Sequence, residues 1–463
     1  MSRTITKQAN AEQQRIRMLT HPIPKVVTAL AVPSMMQQLI NVLYNLVDTY
    51  FVSQISTSAA AAVGIVFSLV SLINALMFGV SMGAKGLISR RLGAGEVGEA
   101  SKFASTCLAM ELVIGIFATS MGLVFLKPIL YFFGASDTMM PHAIPYARWI
   151  LIGVLLHCVD AACSCTLAAQ GKTFYTMLGF GVASLCNIVL DWLFVFPLQM
   201  GAGGAALATA ISQGISMLIL LWAIYSGKSA IKFHPKYVSR KLRTYFDIVH
   251  NGIATVFRQG TASLATTLLN RLANPYGDAV VAAISIANKI YLMCRNLVLG
   301  FGQGFQPVAG YNYGAGVRSR VKKAFWFACA MGTIICLTGT AFLALMPETL
   351  IGLFRKDADV VSVGAQMLRY YALVLPLLAY STFVNQMYQC LGFSLWATIL
   401  ACCRQCIFFV PALYILHGLL GQTGLIMTQP AADLLTFLAS IPFQIWFFRK
   451  ILSKPDAKIK FQQ

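Results

Sequence analysis

Runs of about 20 apolar residues, the length a helix needs to cross the hydrocarbon core of a bilayer, recur twelve times along this chain with short polar breaks between them. They fall near 27–53, 60–83, 103–126, 143–168, 174–197, 203–225, 249–273, 280–305, 324–346, 368–391, 396–417 and 424–448. Backbone in lipid must satisfy its own polar groups, so each run reads as a helix. The 463 residues are 58% hydrophobic and 11% charged, against about 25% charged in soluble domains. That composition excludes a soluble enzyme, a disordered scaffold and a nucleic-acid binder, and it makes the lipid bilayer the first partner.

Residues 1–25 are polar and carry no short apolar core before a small-residue cleavage site, so the first apolar run reads as a span rather than a cleaved signal. The net charge of +20 is distributed unevenly. Basic residues crowd alternate connections: 25 on the side that holds both termini and the 227–248 segment, against Lys127, Arg355 and Lys356 on the other. Positive charge marks cytoplasmic loops, so both termini are expected in the cytoplasm and the number of spans is even. Most of the 12 cysteines lie inside apolar runs, where a thiol behaves as a small hydrophobe. The one dense set, Cys402, Cys403 and Cys406, lacks the histidine or second pair of a metal site.

The chain also repeats itself. A shift of 221 residues lays Leu76 to Gly83 and the turn Gly93-Ala94-Gly95 onto Leu297 to Gly304 and Gly314-Ala315-Gly316, with glycines coinciding at 79/300, 83/304, 93/314 and 95/316. Six spans separate the copies, so the halves share one orientation, as in parallel repeats related by an axis along the membrane normal. The expected organisation is an N-lobe at 1–226, a basic cytoplasmic linker at 227–248 and a C-lobe at 249–463. Two such lobes across a cleft are a common way to build alternating access.

Polar residues inside the spans single out the chemistry. Ser34, Gln37 or Gln38, Asn41, Asn45 and Asp48 recur at three and four residues and share one face of the first span. The fifth span carries Asn187 and Asp191, four apart. Ionisable residues within a membrane are costly enough to mark function by default; the alternatives are that these acids pair with an arginine, Arg148 being the main one in this lobe, or cap a broken helix. Glu111 and Asp160 are lone acids on otherwise apolar spans and read as structural. Asp433 stands near Pro430 with Arg404 or Arg295 as partner. Under the 221-residue shift Asp48 falls on Leu269, Asp191 on Ala412 and Thr209 on Pro430. The second lobe has a neutral stripe of Thr255, Gln259, Ser263, Thr266 and Asn270, together with embedded cations Arg258, Lys289, Arg295 and Arg404. Substrate-cleft candidates are Gln38, Asn41, Asn45, Arg258, Gln259 and Arg295.

With Pro33, the Leu46-Val47-Asp48-Thr49-Tyr50-Phe51-Val52 end of the first span, the repeated Gly79 to Gly95 segment and Asn187-Ile188-Val189-Leu190-Asp191, the chain resembles the multidrug and toxic compound extrusion (MATE) family, in its prokaryotic DinF- and MepA-like branch. The resemblance covers nearly the whole chain. It implies an all-α integral membrane protein, twelve transmembrane helices in two pseudo-symmetric six-helix bundles, that exports amphipathic, mainly cationic, drugs or toxins in antiport with H⁺ or Na⁺. It also implies a monomer in the inner (plasma) membrane, with no cofactor. The family's first-lobe cation site carries over to Asp48, Asn187, Asp191 and Thr209, which would also hold Na⁺ if that is the coupling ion. The departure lies in the second lobe, where other branches place an acid on the seventh or tenth span and this chain has none.

The competing function is flipping of lipid-linked oligosaccharide or another polar lipid, whose pyrophosphate would suit the embedded cations. An enzyme is not expected, since the chain has no HExxH, no GxSxG and no aspartate-rich prenyl-diphosphate motif. An ATP-driven pump fails because Gly171-Lys172-Thr173 and Gly227-Lys228-Ser229 have Thr166 and Trp222 where a Walker motif needs its first glycine.

Overall fold

The computed structural model describes residues 2–53 and 57–457; the side chains of 2–10, 46, 48–50, 52, 53, 57 and 60 lie outside the described residues. Among the described residues every regular element is a helix. The first half runs α1 (Ser2–Thr20), α2 (Ile23–Ser53), α3 (Thr57–Gly93), α4 (Val97–Val124), α5 (Leu126–Phe132), α6 (Met140–Ala169), α7 (Thr173–Val195) and α8 (Gly201–Ala223). The second runs α9 (Leu242–Ala273), α10 (Asp278–Gly314), α11 (Arg318–Leu345), α12 (Pro347–Gly352), α13 (Ala358–Leu391), α14 (Ser394–Cys402), α15 (Phe409–Leu420) and α16 (Gln422–Lys450).

The repeat holds at the level of elements. Helices α3 and α10 have 37 residues each and α4 and α11 have 28 each, and both pairs start 221 residues apart. The short helices α5 and α12 follow at the same displacement. The duplicated Gly-Ala-Gly turn has one conformation in both copies: Gly95 at φ +84° and Gly316 at φ +78°, the left-handed region that a side chain disfavours. Each turn therefore closes its long helix at the same place and sends the chain back.

Eleven helices among the described residues are long and apolar enough to span a membrane. The expected seventh span is α9, whose 32 residues reach about 48 Å, ample for a crossing. It falls below that apolarity because Asp247, His250, Asn251, Arg258, Gln259, Asn270 and Arg271 interrupt it. Length thus qualifies α9, and its polar residues explain the difference.

The chain groups into two compact units, one of α1 with Met36–Gly252 and one of His21–Met35 with Ile253 onward. Helices α2 and α9 accordingly each begin in one unit and end in the other, a trait absent from the expected boundaries of 1–226 and 249–463. In the first unit α6 packs against α3, α4 and α8, and α7 packs against α8. In the second α13 takes the central place, against α10, α11 and α16. These two are the most enclosed spans, 56% and 61% buried over their apolar windows. Peripheral helices turn apolar side chains outward, as Val113, Phe117 and Val124 on α4 and Leu185, Val189 and Trp192 on α7 do, which suits lipid and not water.

The repeated glycines make close helix crossings possible. In the first unit a Cβ built on Gly83 would lie 2.1 Å from the carbonyl oxygen of Ile248, and one on Gly252 1.9 Å from that of Gly79. In the second a Cβ on Gly304 would lie 2.4 Å from the backbone of Ala31, and one on Gly300 2.8 Å from Met35 Cα. Within lipid, helices gain association mainly from such tight packing of small residues. The first unit thus pairs α3 with the start of α9, and the second pairs α10 with the start of α2.

Candidate functional site

In the first unit the site is built by α7 and α8. Asn187 and Asp191 are one helical turn apart on α7 and almost wholly buried, at 1% and 0% exposure. Helix α8 opens with Gly201-Ala202-Gly203-Gly204-Ala205-Ala206, small residues that let it approach α6 and α7 closely. Thr209 is thereby brought to the Asn187 amide, its hydroxyl 3.5 Å away and also donating to Ala205 O at 3.1 Å. The Asn187 amide satisfies its surroundings in one orientation: nitrogen donating to Asp191 Oδ2 at 2.9 Å, oxygen accepting from the Thr209 backbone N–H at 3.2 Å. Three of the four expected ion-coupling residues therefore form one cluster. Arg148 is exposed and makes no ion pair among the described residues, so pairing with that arginine does not account for Asp191.

The fourth expected residue, Asp48, has its side chain outside the described residues. Its backbone lies in α2, and two contacts set the register of that helix on α7: Thr176 Oγ1 donates to Gln37 Oε1 at 3.4 Å, and a Cβ on Gly181 would stand 3.6 Å from Ile40 Cδ1. Both numbers rise together, so the helices run parallel, and continuing the register brings the Asp48 position level with Asn187 to Val189 at about 1.5 Å per residue. Of the other stripe residues, Ser34 is buried and donates to Leu30 O at 3.0 Å, while Asn45 donates to Asn41 Oδ1 at 2.7 Å on an exposed face. Gln38 is partly buried and Gln259 is exposed.

The two lone acids differ in their surroundings. Glu111, fully buried, accepts from Ser81 Oγ at 2.8 Å. Asp160 is partly buried on α6, with Oδ1 facing no hydrogen-bond partner among the described residues.

The second unit is organised around an arginine. Between α14 and α15 the chain makes a π turn over Cys403–Ile407. Pro411 lacks an N–H and clashes with the carbonyl four residues back, at Ile407, which accounts for the widened turn. Arg404 projects from this turn onto Asp433 of α16: Nε to Oδ1 at 2.6 Å and Nη2 to Oδ2 at 3.3 Å. Tyr291 from α10 donates to Asp433 Oδ2 and accepts from Arg404 Nη2 at 3.2 Å, and Gln429 donates to Asp433 Oδ1 at 2.9 Å. The sequence named Arg404 and Arg295 as alternatives for Asp433; Arg404 is the partner. Tyr291 and Gln429 had no sequence signal, because a tyrosine or a glutamine within a span is unremarkable until packing delivers it to a carboxylate. Removing one member of a buried pair strands the other charge, at about 3–5 kcal/mol. Arg404→Gln is therefore expected to lower the melting temperature of the detergent-solubilised protein sharply, and Arg404→Gln/Asp433→Asn to recover most of the loss.

Two six-helix repeats of membrane-spanning length, with a buried carboxylate and amide beside a half-buried hydroxyl between two spans, define a polytopic membrane transporter. Residues 33–193 and 254–415 each match the MatE family model, and the chain belongs to that family. It is 23% identical over 425 residues to the multidrug export protein MepA of Staphylococcus aureus strain MSSA476, covering 91% of this chain and 93% of that one. Against an FAD transporter of Shewanella oneidensis it is 21% identical over 439 residues, covering 92% and 95%. A solved outward-facing conformation of a multidrug resistance MATE family transporter of the MOP superfamily superposes with a TM-score of 0.89 at 25% identity, over 95% of this chain and 99% of that one.

Proposed function

We propose that this chain exports amphipathic small molecules by alternating access, driven by H⁺ exchange on Asp48 and Asp191 in the first unit. The reading is carried by one observation: Asp191 is fully buried within a transporter fold and is held by Asn187, which is itself held by Thr209. Two carboxylates sharing a low-dielectric site cannot both stay ionised, so one takes up a proton. Uptake removes a charge that α2, α7 and α8 must otherwise solvate, and that shifts the balance between arrangements of α2, with Pro33 inside the helix as the place for a bend.

H⁺ is preferred because paired carboxylates in a low-dielectric site favour sharing a proton; two carboxylates with the Asn187 and Thr209 oxygens would also suit Na⁺, which makes Na⁺ the alternative coupling ion. Organic cations are the default cargo that the family implies; the protein acts as a monomer in the inner membrane with both termini cytoplasmic. Polar-lipid flipping is the second reading, favoured by the arginines inside the second unit. Everted vesicles test the proposal: dye accumulation should collapse with a protonophore and persist without ATP. Accumulation that requires ATP and ignores the protonophore overturns it.

A further inference from the structure

Arg258, Arg295 and Arg404 border one partly open cavity within the second unit. Guanidinium groups remain charged in proteins, so the cavity brings together three positive charges. Asp433 is engaged by Arg404. Among the described residues Arg258 and Arg295 form no ion pair, and Arg295 Nε is buried with no hydrogen-bond partner. The remaining acids of this unit cannot supply a partner: Glu348 pairs with Arg369, Asp357 caps α13, Asp456 bonds Ser319, and Asp278 and Asp359 lie in the first turns of α10 and α13. The charge excess does not come from the repeat either, since the 221-residue shift lays Arg258 on Gln37, Arg295 on Asn74 and Arg404 on Ala183. Ala262, Leu299 and Leu400 supply apolar lining beside the cations.

We infer that this cavity is a binding site for an amphiphile bearing a carboxylate or phosphate, with Arg258 and Arg295 holding the anion and the apolar lining holding its organic body. Arginine presents a planar fork of donors that matches both anions bidentately. Arg404 is the fixed wall, because its charge is already answered. The direction of movement rests on the efflux reading above, but binding at equilibrium does not.

The experiment uses the purified full chain in phosphatidylcholine nanodiscs, with no ion gradient, and measures binding of 1-naphthyl phosphate, 1-naphthol and 1-naphthylmethylammonium by equilibrium dialysis. The phosphate should bind at least about tenfold tighter than the other two, a comparison that needs no variant to fold. Arg258→Gln/Arg295→Gln should lose at least about tenfold for the phosphate alone, and Arg258→Lys/Arg295→Lys should fall between, because charge stays while the fork is lost. Equal or tighter binding of the ammonium compound, or an unchanged double glutamine variant, overturns the assignment. Nanodiscs containing phosphatidylglycerol separate the sources of the anion: competition seen in the wild type and absent from the glutamine variant supports a lipid headgroup in the site, and no competition supports a soluble anion. A failure of proton coupling would leave these readouts unchanged, so the two proposals fail separately.

Discussion

Asp191→Asn is expected to reduce proton-driven efflux to the level of vesicles lacking the protein, with substrate binding kept within about twofold. Asparagine preserves shape and hydrogen bonding but cannot carry a proton, so it removes exchange chemistry without opening a cavity. Asp191 has 0% exposure and its carboxylate is held by the Asn187 amide, so the substitution acts at a fixed point and not on a mobile surface group. Asp48→Asn should give the same result if the two carboxylates share one proton. Efflux assayed under an imposed pH gradient, beside dye binding to the purified variants, separates coupling from binding. Full efflux by either variant removes that residue from the mechanism.

Gly304→Leu is expected to abolish folded protein, and Gly252→Leu likewise. Overpacking an ordinary core costs about 1–3 kcal/mol because side chains can shift. Here the atoms in the way are backbone: Ala31 at 2.4 Å from a Cβ on Gly304, and the Gly79 carbonyl oxygen at 1.9 Å from one on Gly252. Backbone can yield only by parting the helices. Gly64→Leu is the control, since nothing stands within 4 Å of a Cβ there, and it should fold normally. Fluorescence-detected size exclusion of tagged variants reads the outcome; a monodisperse peak for both crossing variants would mean that these approaches are not needed.

Those glycines also show what could be read before the fold was known. Their coincidence at 79/300 and 83/304 was visible as a repeat, and it forecast two equivalent halves. Their purpose was hidden, because a glycine's need for space depends on which helix lies opposite, and that is set by tertiary packing. Asn187 and Asp191 were legible from four-residue spacing on an apolar helix. Thr209 was not, since a threonine on α8 acquires meaning only when small residues let that helix close on α7; it came from family resemblance. In the second unit the embedded arginines were evident from composition, whereas their unequal status was not. Arg404 is neutralised through a π turn and by Asp433 and Tyr291, and Arg258 and Arg295 are left to the cavity.

The central claim is that proton exchange in the first unit drives substrate across the membrane. It is tested most directly by reconstituting the purified chain into ATP-free liposomes loaded with a pH-sensitive dye and following proton and substrate movement together. The account predicts that adding substrate on one side moves protons the opposite way, that an imposed pH gradient drives substrate uphill, and that Asp191→Asn loses both. Substrate flux that continues unchanged when the pH gradient is collapsed, or that follows a Na⁺ gradient alone, would contradict it.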